Sequence, residues 1–347
     1  MKGNFYLHKF KHSYEIKMSS DAKYICRLSA SKVYLHDAKT FEEITSWDNI
    51  KNPRNISFSN NNKYLAVTNS MGKVALYDLF TISFMKSFRI GNGKHSQDCN
   101  LCFTHDDKFA IAAINSHVKE TIVSIDLQSI EIREHAGIDY SVIQGIQCVE
   151  SKNKFIFYFY DRNDSSGYGK NYIILWEYPF ESNQYNKINS KQIREWGAID
   201  YNENTECYSI YASNDLYIAD NKLDIIRKTG ECKSNEEISI NPMEITKKVI
   251  GEDNINDRLI SICESMNSKF PKDGYLSHLS WSKDGKFIAV VFSEVIKLIR
   301  CDDLSCVREF RLPYSCYASF SPNGQYLLIG TWNCGYVVEM GQCLEKD

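Results

Sequence analysis

An all-β fold is predicted for this chain, a seven-bladed β-propeller of four-stranded antiparallel blades, and three observations predict it. A short pattern recurs along the 347 residues. Each copy carries the turn chemistry of a hairpin followed by an almost unbroken apolar run. The stretch from the last copy, around the termini, to the first copy is one repeat long. A unit of this kind cannot bury both of its faces alone, so units stack, and a closed ring of them removes every open edge.

In each copy an apolar anchor is followed by a polar turn, and a second large apolar residue stands six positions after the anchor. The pairs are Met18/Tyr24, Phe58/Tyr64, Phe103/Phe109, Val149/Phe155, Tyr201/Cys207, Trp281/Phe287 and Phe320/Tyr326. Lys precedes the second residue at Lys23, Lys63, Lys108, Lys154 and Lys286. In the sharpest copies, from Trp281 and from Phe320, Asp284-Gly285 and Asn323-Gly324 supply the positive φ that a tight hairpin requires. Runs such as Phe287–Phe292 and Tyr326–Ile329 follow, apolar enough for strands covered on both faces. A third strand tends to end in Asp, at Asp37, Asp78 and Asp126. A more polar fourth strand closes the unit, as at Phe84–Phe88 and Cys306–Leu312.

These residues resemble the WD-repeat family over nearly the whole chain, in degenerate form. The Trp-Asp pair that names the family stands here as Trp176-Glu177, Tyr77-Asp78 or His36-Asp37, and the Gly-His signature is absent. The resemblance implies a rigid, non-enzymatic interaction scaffold, one domain over 1–347, whose partner is a protein or peptide.

The anchors recur every 40 to 50 residues or so, with one gap of 80 between Tyr201 and Trp281. Residues 229–277 lack the anchor pattern. Asn241-Pro242 reads as a helix start and Gly251 as a stop, and Ile255, Leu259, Ile262 and Met266 fall at helical spacing. A helical insertion between blades 5 and 6 is the expectation, with a cryptic eighth blade as its rival. The last copy holds three strands, and Asn4–Phe10 can supply the fourth.

Three long connections, 161–171, 181–196 and 229–277, are expected on one rim of one face. Long loops on a rigid scaffold are where binding concentrates. Arg162, Tyr168, Tyr185 and Trp196 are residue types common at binding hot spots, so this rim is the expected partner surface. Trp332, in Thr331–Gly335, is expected near the mouth of the central channel, either exposed as a contact or packed against the next blade.

Motif chemistry is sparse. Gly91–Lys94 lacks the rest of a phosphate loop, and Asp161–Gly167 has its Gly one place late for a calcium loop, with Tyr172 where Glu belongs. Cys99/Cys102, flanked by His95 and His105, is the single CxxC, and strand alternation keeps the four from converging. No Gly-x-Ser-x-Gly elbow or His-Glu-x-x-His occurs. No catalytic residue, metal or cofactor is therefore expected. The rival is a ligand site, or a hydrolase-like or lyase-like site, assembled from several blades around the channel. It would gather acidic, His or Arg residues there, whereas a scaffold would show an aromatic and polar patch on the loop face.

Net charge is −3 with the signs interspersed, so no basic excess holds nucleic acid by its phosphates. The first 18 residues have no apolar core of a signal peptide, and no apolar run is long enough to span a bilayer. A cytoplasmic monomer that binds neither membrane nor nucleic acid, with its 12 cysteines reduced, is the expectation.

Overall fold

The computed structural model describes residues 5–90, 101–115, 119–139, 141–149, 154–161, 169–178, 180, 186–190, 192–193, 195–229, 237–239 and 269–344. They form seven antiparallel blades in a ring. Blade 1 comprises Glu15–Met18, Tyr24–Leu28, Val33–Asp37 and Glu43–Trp47; blade 2, Pro53–Phe58, Tyr64–Asn69, Lys73–Asp78 and Ser83–Arg89. Blade 3 comprises Leu101–Phe103, Phe109–Asn115, Lys119–Asp126 and Ile132–Asp139; blade 4, Ser141–Val149, Lys154–Asp161, Lys170–Glu177 and Asn186–Ile188. Blade 5 comprises Ala198–Asn202, Cys207–Ala212, Asp215–Ala219 and Ile225–Lys228; blade 6, Leu276–Trp281, Phe287–Phe292, Val295–Arg300 and Cys306–Arg311.

Blade 7 is built from both ends of the chain. Tyr326–Glu339 doubles back at Trp332-Asn333. Its first half pairs with Ser315–Phe320, its second half pairs with His8–Ser13, and the Met340 amide donates to the Gln325 carbonyl at 2.8 Å. The N-terminal strand thus closes the ring as expected, although it begins at His8 rather than Asn4.

The burial of each strand follows its place in the blade. Second and third strands lie between neighbouring blades and read almost continuously buried, as in Phe287–Phe292 and Val295–Arg300. The outer Ser83–Arg89 alternates exposed and half-buried, the period of a strand with one wet face. The cores lie between blades: one cluster joins Leu76 and Val74 of blade 2 to Ala112 and Val123 of blade 3. Burying a side chain such as Leu76 stabilises by about 1.5–3 kcal/mol, so each blade depends on the next.

The polar turn after the anchor is a device repeated around the ring. The buried hydroxyl at Ser19, Ser59, Thr104, Ser282 and Ser321 accepts the amide of the residue that opens the second strand, at 2.9–3.1 Å. The same hydroxyl donates to Asp21, Asn61, Asp106, Asp284 and Asn323, at 2.7–2.9 Å. The residue after that acceptor takes positive φ at Ala22, Asn62, Asp107, Gly285 and Gly324. At the opposite corner Asp37, Asp78 and Asp126 each accept two amides of the next turn, which is why third strands end in Asp.

Gly285 and Gly324 occupy equivalent turns in different surroundings, and a substitution separates the two effects. A Cβ on Gly324 (φ +70) meets nothing within 4 Å, whereas one on Gly285 (φ +73) would stand 2.3 Å from Cγ2 of Thr205. Gly324→Ala is expected to cost about 1 kcal/mol through φ alone. Gly285→Ala should cost about 2 kcal/mol, because Thr205 must also move. Paired urea unfolding curves test the order of the two.

The 229–277 segment departs from expectation where it is described. Glu237–Ser239 and Lys269–Pro271 pair antiparallel as a two-stranded ribbon, Glu237 opposite Pro271. The helical insertion is therefore not what these ends show: they are strand, since Ile238 and Phe270 belong to short β-prone runs that a capping pattern read further along the chain does not govern. The helical spacing of Ile255–Met266 and the start at Asn241-Pro242 lie outside the described residues. No eighth four-stranded sheet occurs among the described residues. The described residues also contain no helix long and apolar enough to cross a membrane.

Candidate interaction face and central channel

The first strands of the blades surround a central cavity of about 970 Å³, lined by Glu15 and Lys17 of blade 1, Gln147 of blade 4, Asp200 of blade 5, His278 of blade 6 and Tyr317 of blade 7, among others. Ionisable groups do gather here, and the ring itself engages them. Lys17 Nζ donates to the Ile56 carbonyl of blade 2 at 2.8 Å. Ser57 Oγ then reaches Leu101 at 2.7 Å, and Cys102 Sγ reaches Ile146 at 3.3 Å. Gln147 Nε2 donates to Tyr201 at 2.7 Å, and the Trp281 amide donates to Asp200 Oδ2 at 2.7 Å. His278 stacks on Tyr317, with centroids 4.4 Å apart, and Ser319 Oγ returns to Ile16 at 2.9 Å. Every junction between blades is bridged in this way by an inner-strand side chain.

The two inward carboxylates are committed in the same sense. The Glu15 oxygens accept the Asn55 and Ile56 amides at 2.9 and 2.7 Å. Asp200 Oδ1 accepts the Tyr201 amide at 3.0 Å while Oδ2 takes Trp281. Burial pushes the Asp200 carboxyl up to about 6, against the pull of both amides and of Lys17. Burial, reinforced by the Lys17 charge, brings His278 down to about 3. Burial opposes the Lys17 charge, but Tyr317 and Glu15 beside it hold the ammonium above its usual range. A neutral stacked imidazole and amide-bound carboxylates make an inter-blade clamp.

The clamp has a pH signature. His278 titrates from 6.5 when unfolded to about 3 when folded, so its contribution is present above 6.5 and is lost as pH falls toward 3. Asp200 works oppositely: from 3.8 unfolded to about 6 folded, its contribution is full below 3.8 and is lost as pH rises through 6. With water in the channel screening part of the charge, His278 is expected to cost on the order of 1 kcal/mol between neutrality and about pH 5, partly offset by Asp200. His278→Phe keeps the stack on Tyr317 and should flatten the fall in melting temperature on acidification. Melting curves at both pH values for the two proteins provide the check.

The face carrying the second-to-third-strand turns and the blade-to-blade corners has a different character. Trp332 is 58% exposed at the hairpin of blade 7, lines the mouth of the cavity and lies over Tyr14, centroids 5.4 Å apart. Of the two readings open for it in the sequence, exposure is the one observed. Its amide donates to the Tyr314 carbonyl at 3.1 Å, in the corner between blades 6 and 7, and Tyr314 is 57% exposed. The Ser315 amide donates to Ser293, whose own amide donates to Tyr275, 60% exposed in the corner before blade 6. Tyr275, Tyr314, Trp332 and Tyr14 thus form an aromatic arc beside the channel mouth.

The arc meets the expected rim at one connection, since Tyr275 lies within 229–277, while Tyr314 and Trp332 stand on shorter connections. Trp196 is 6% exposed and packs with Ile173, Tyr208 and Ile210 where blades 4 and 5 meet, its amide bound to Asn171 Oδ1 at 2.9 Å. It is a core residue that also lines the cavity, and it offers no contact surface on the rim. Arg162, Tyr168 and Tyr185 lie outside the described residues. Tyr275 and Tyr314 were missed from sequence. A usable signal existed for Tyr314: it stands six residues before its anchor, as do His12 and Asn52, and all three take positive φ.

Of the dismissed motifs, the phosphate loop 91–94, Cys99 and His95 lie outside the described residues, as do 162–168 of the calcium-like run. Cys102 is a free thiol, pushed up to about 11 by burial. Among the described residues no His, Cys, Asp or Glu cluster is placed to hold a metal ion.

The architecture defines a seven-bladed β-propeller. Two solved structures share it over nearly their full length: hydrazine synthase of Kuenenia stuttgartiensis, 12% identical, TM-score 0.64, covering 98% of each chain, and the β-propeller domain of Myceliophteria thermophila Cps50 (Swd1), 13% identical, TM-score 0.64, covering 94% of this chain and 98% of that one. At such identities the likeness establishes the fold and nothing finer. No protein-family model and no curated sequence matches the chain.

Proposed function

We propose that this protein is a non-enzymatic interaction scaffold of WD-repeat type that holds a protein or peptide partner on the face bearing the aromatic arc. The carrying observation is the contrast between that arc and the channel. Tyr275, Tyr314 and Trp332 each leave more than half of their surface in water, and Trp332 also lines the cavity. Large exposed aromatics grouped on one face are the common anchors of interfaces. Glu15, Lys17, Asp200 and His278, which a catalytic channel would need, are instead spent on inter-blade contacts. One structural neighbour is an enzyme and the other a propeller domain of a different protein, so neither likeness decides between the readings.

The test is affinity capture from a lysate of the source organism with the intact protein, Trp332→Ala, Tyr314→Ala and the channel variant His278→Phe. A partner retained by His278→Phe and weakened about tenfold or more by either arc variant supports the scaffold, since a hot-spot aromatic is worth about 2 kcal/mol or more. Capture indifferent to both arc variants would move the site elsewhere. Turnover of a small molecule abolished by His278→Phe would favour a channel enzyme.

A further inference from the structure

A carboxylate stands between two of the connections that carry the arc. Glu294 sits in the turn of blade 6 that joins its second and third strands. Its amide donates to the Asp273 carbonyl at 3.2 Å, and its carbonyl accepts the Leu312 amide at 3.2 Å. These bonds seat it between the corner that carries Tyr275 and the corner that carries Tyr314. Its side chain lies on the Tyr275 side: a Cβ on Gly274 would come within 3.2 Å of Glu294 Cγ. The space that Gly274 leaves is taken first by the Ser293 hydroxyl, 2.0 Å from such a Cβ, with Glu294 next to it.

Two further features bear on this carboxylate. Burial raises its proton affinity, and among the described residues no cation counters that. Nearby on blade 6, Asp273 pairs with Lys297 and Arg311, and Glu309 with both of those bases. The corner facing Glu294 takes a left-handed turn, as bulky Phe41, Ile82, Ile130, Leu223 and Leu304 do elsewhere in the ring. Tyr314 takes φ +62, at the position where blade 2 has Asn52 at φ +48. Asn tolerates the left-handed region, whereas a bulky aromatic adopts it at a cost of about 1–3 kcal/mol. That conformation accompanies a ring left 57% exposed in the corner whose Leu312 amide is bound by the Glu294 carbonyl.

We propose that Tyr275, Glu294, Tyr314 and Trp332 receive an arginine side chain of the peptide partner. The proposal rests on the scaffold reading and names what that face recognises. A guanidinium suits the site better than an ammonium. Its flat face stacks on aromatic rings while its edge offers two N–H donors to one carboxylate, and it sheds water more readily. Bound there, it neutralises Glu294 and covers the tyrosines.

The experiment uses the full chain and three capped pentapeptides, Gly-Ser-Xaa-Ser-Gly, with arginine, citrulline or lysine at the centre, titrated by calorimetry and by tryptophan fluorescence. The arginine peptide is expected to bind saturably. Citrulline, which keeps the shape and loses the charge, should bind roughly tenfold or more weakly, as expected for losing a charge-assisted bond. Lysine should fall between them. Glu294→Gln and Tyr314→Phe, each first checked for the parent's melting temperature, separate the roles: the first should weaken the arginine peptide about tenfold, the second little, since the ring face remains. Equal binding of citrulline, indifference to Glu294→Gln, or no saturable binding of the arginine peptide up to millimolar concentration each overturns the proposal. The scaffold reading stands apart from that result: a captured partner that still depends on Trp332 keeps it, whatever the peptides do.

Discussion

Asp273→Ala is expected to destabilise the protein by about 3–5 kcal/mol, because it strands a buried ammonium. Asp273 is fully buried in the corner before blade 6. Its Oδ2 lies 2.8 Å from Lys297 Nζ, and its Oδ1 lies 3.4 Å from Arg311 Nη1. Lys297 projects from the third strand of blade 6 with a side chain only 10% exposed. Arg311 is half in water and can rehydrate, so the cost falls on Lys297, left with Glu309 at 3.7 Å. Lys297→Met should cost less than Asp273→Ala, since Asp273 retains Arg311 and the methionine fills the stem's space. The double variant should recover part of the loss, giving a coupling of at least about 1 kcal/mol in the cycle. Denaturant midpoints of the four proteins measure it. A loss below about 1 kcal/mol for Asp273→Ala would mean that water reaches the pair.

This pair was invisible in the sequence, and the reason is general to the ring. Asp273, Lys297 and Arg311 come from a corner and two strands, and their meeting depends on strand register. The repeat was legible because it is local: the turn hydroxyl, its Asp or Asn acceptor, the positive-φ residue and the opening aromatic lie within a few consecutive residues. The first strands of blades 1, 2, 3, 4, 6 and 7 accordingly end on the anchors Met18, Phe58, Phe103, Val149, Trp281 and Phe320. Blade 5 runs one residue past Tyr201, to Asn202, whose amide side chain reaches Ser282 of blade 6 at 2.7 Å.

The candidate site was only partly legible. Trp332 stands in a hairpin whose position follows from the repeat, so its place at the channel mouth could be read. Trp196 looked like its equal, an aromatic at the end of a long connection. The same composition serves a buried wedge, and only packing against Ile173 and Tyr208 distinguishes the two. Glu294, Tyr275 and Tyr314 belong to three different connections. Aligning the corners by distance from the anchor would have flagged Tyr314 as a Tyr where blade 2 has Asn, but no local pattern sets Glu294 beside it.

Removing residues 1–13 is expected to cost on the order of the whole folding free energy, about 5–15 kcal/mol, rather than the increment of one strand. The strand His8–Ser13 covers the second half of Tyr326–Glu339, which would otherwise present open N–H and C=O groups at the end of the ring. Phe10 fills a cluster with Ile16, Ile25, Leu328 and Val337, joining blade 7 to blade 1. Arg27, itself buried, donates to the carbonyls of Lys11 and His12 at 2.9 and 3.3 Å, and its guanidinium lies over Phe10. Truncation strips that charge of two acceptors, leaving His36 Nε2 at 2.9 Å, while opening the edge. The truncated chain should therefore lose its cooperative melt and associate through the exposed strand, as light scattering after size-exclusion chromatography would reveal. A synthetic peptide of residues 5–14 added in trans should restore the parent's elution and melt. Phe10→Ala isolates the packing part, expected at about 3–5 kcal/mol with the ring still closed. A truncated protein that eluted and melted as the parent does would mean that the inter-blade clamp around the channel, from Lys17 through Asp200 to Ser319, holds the ring without its terminal strand.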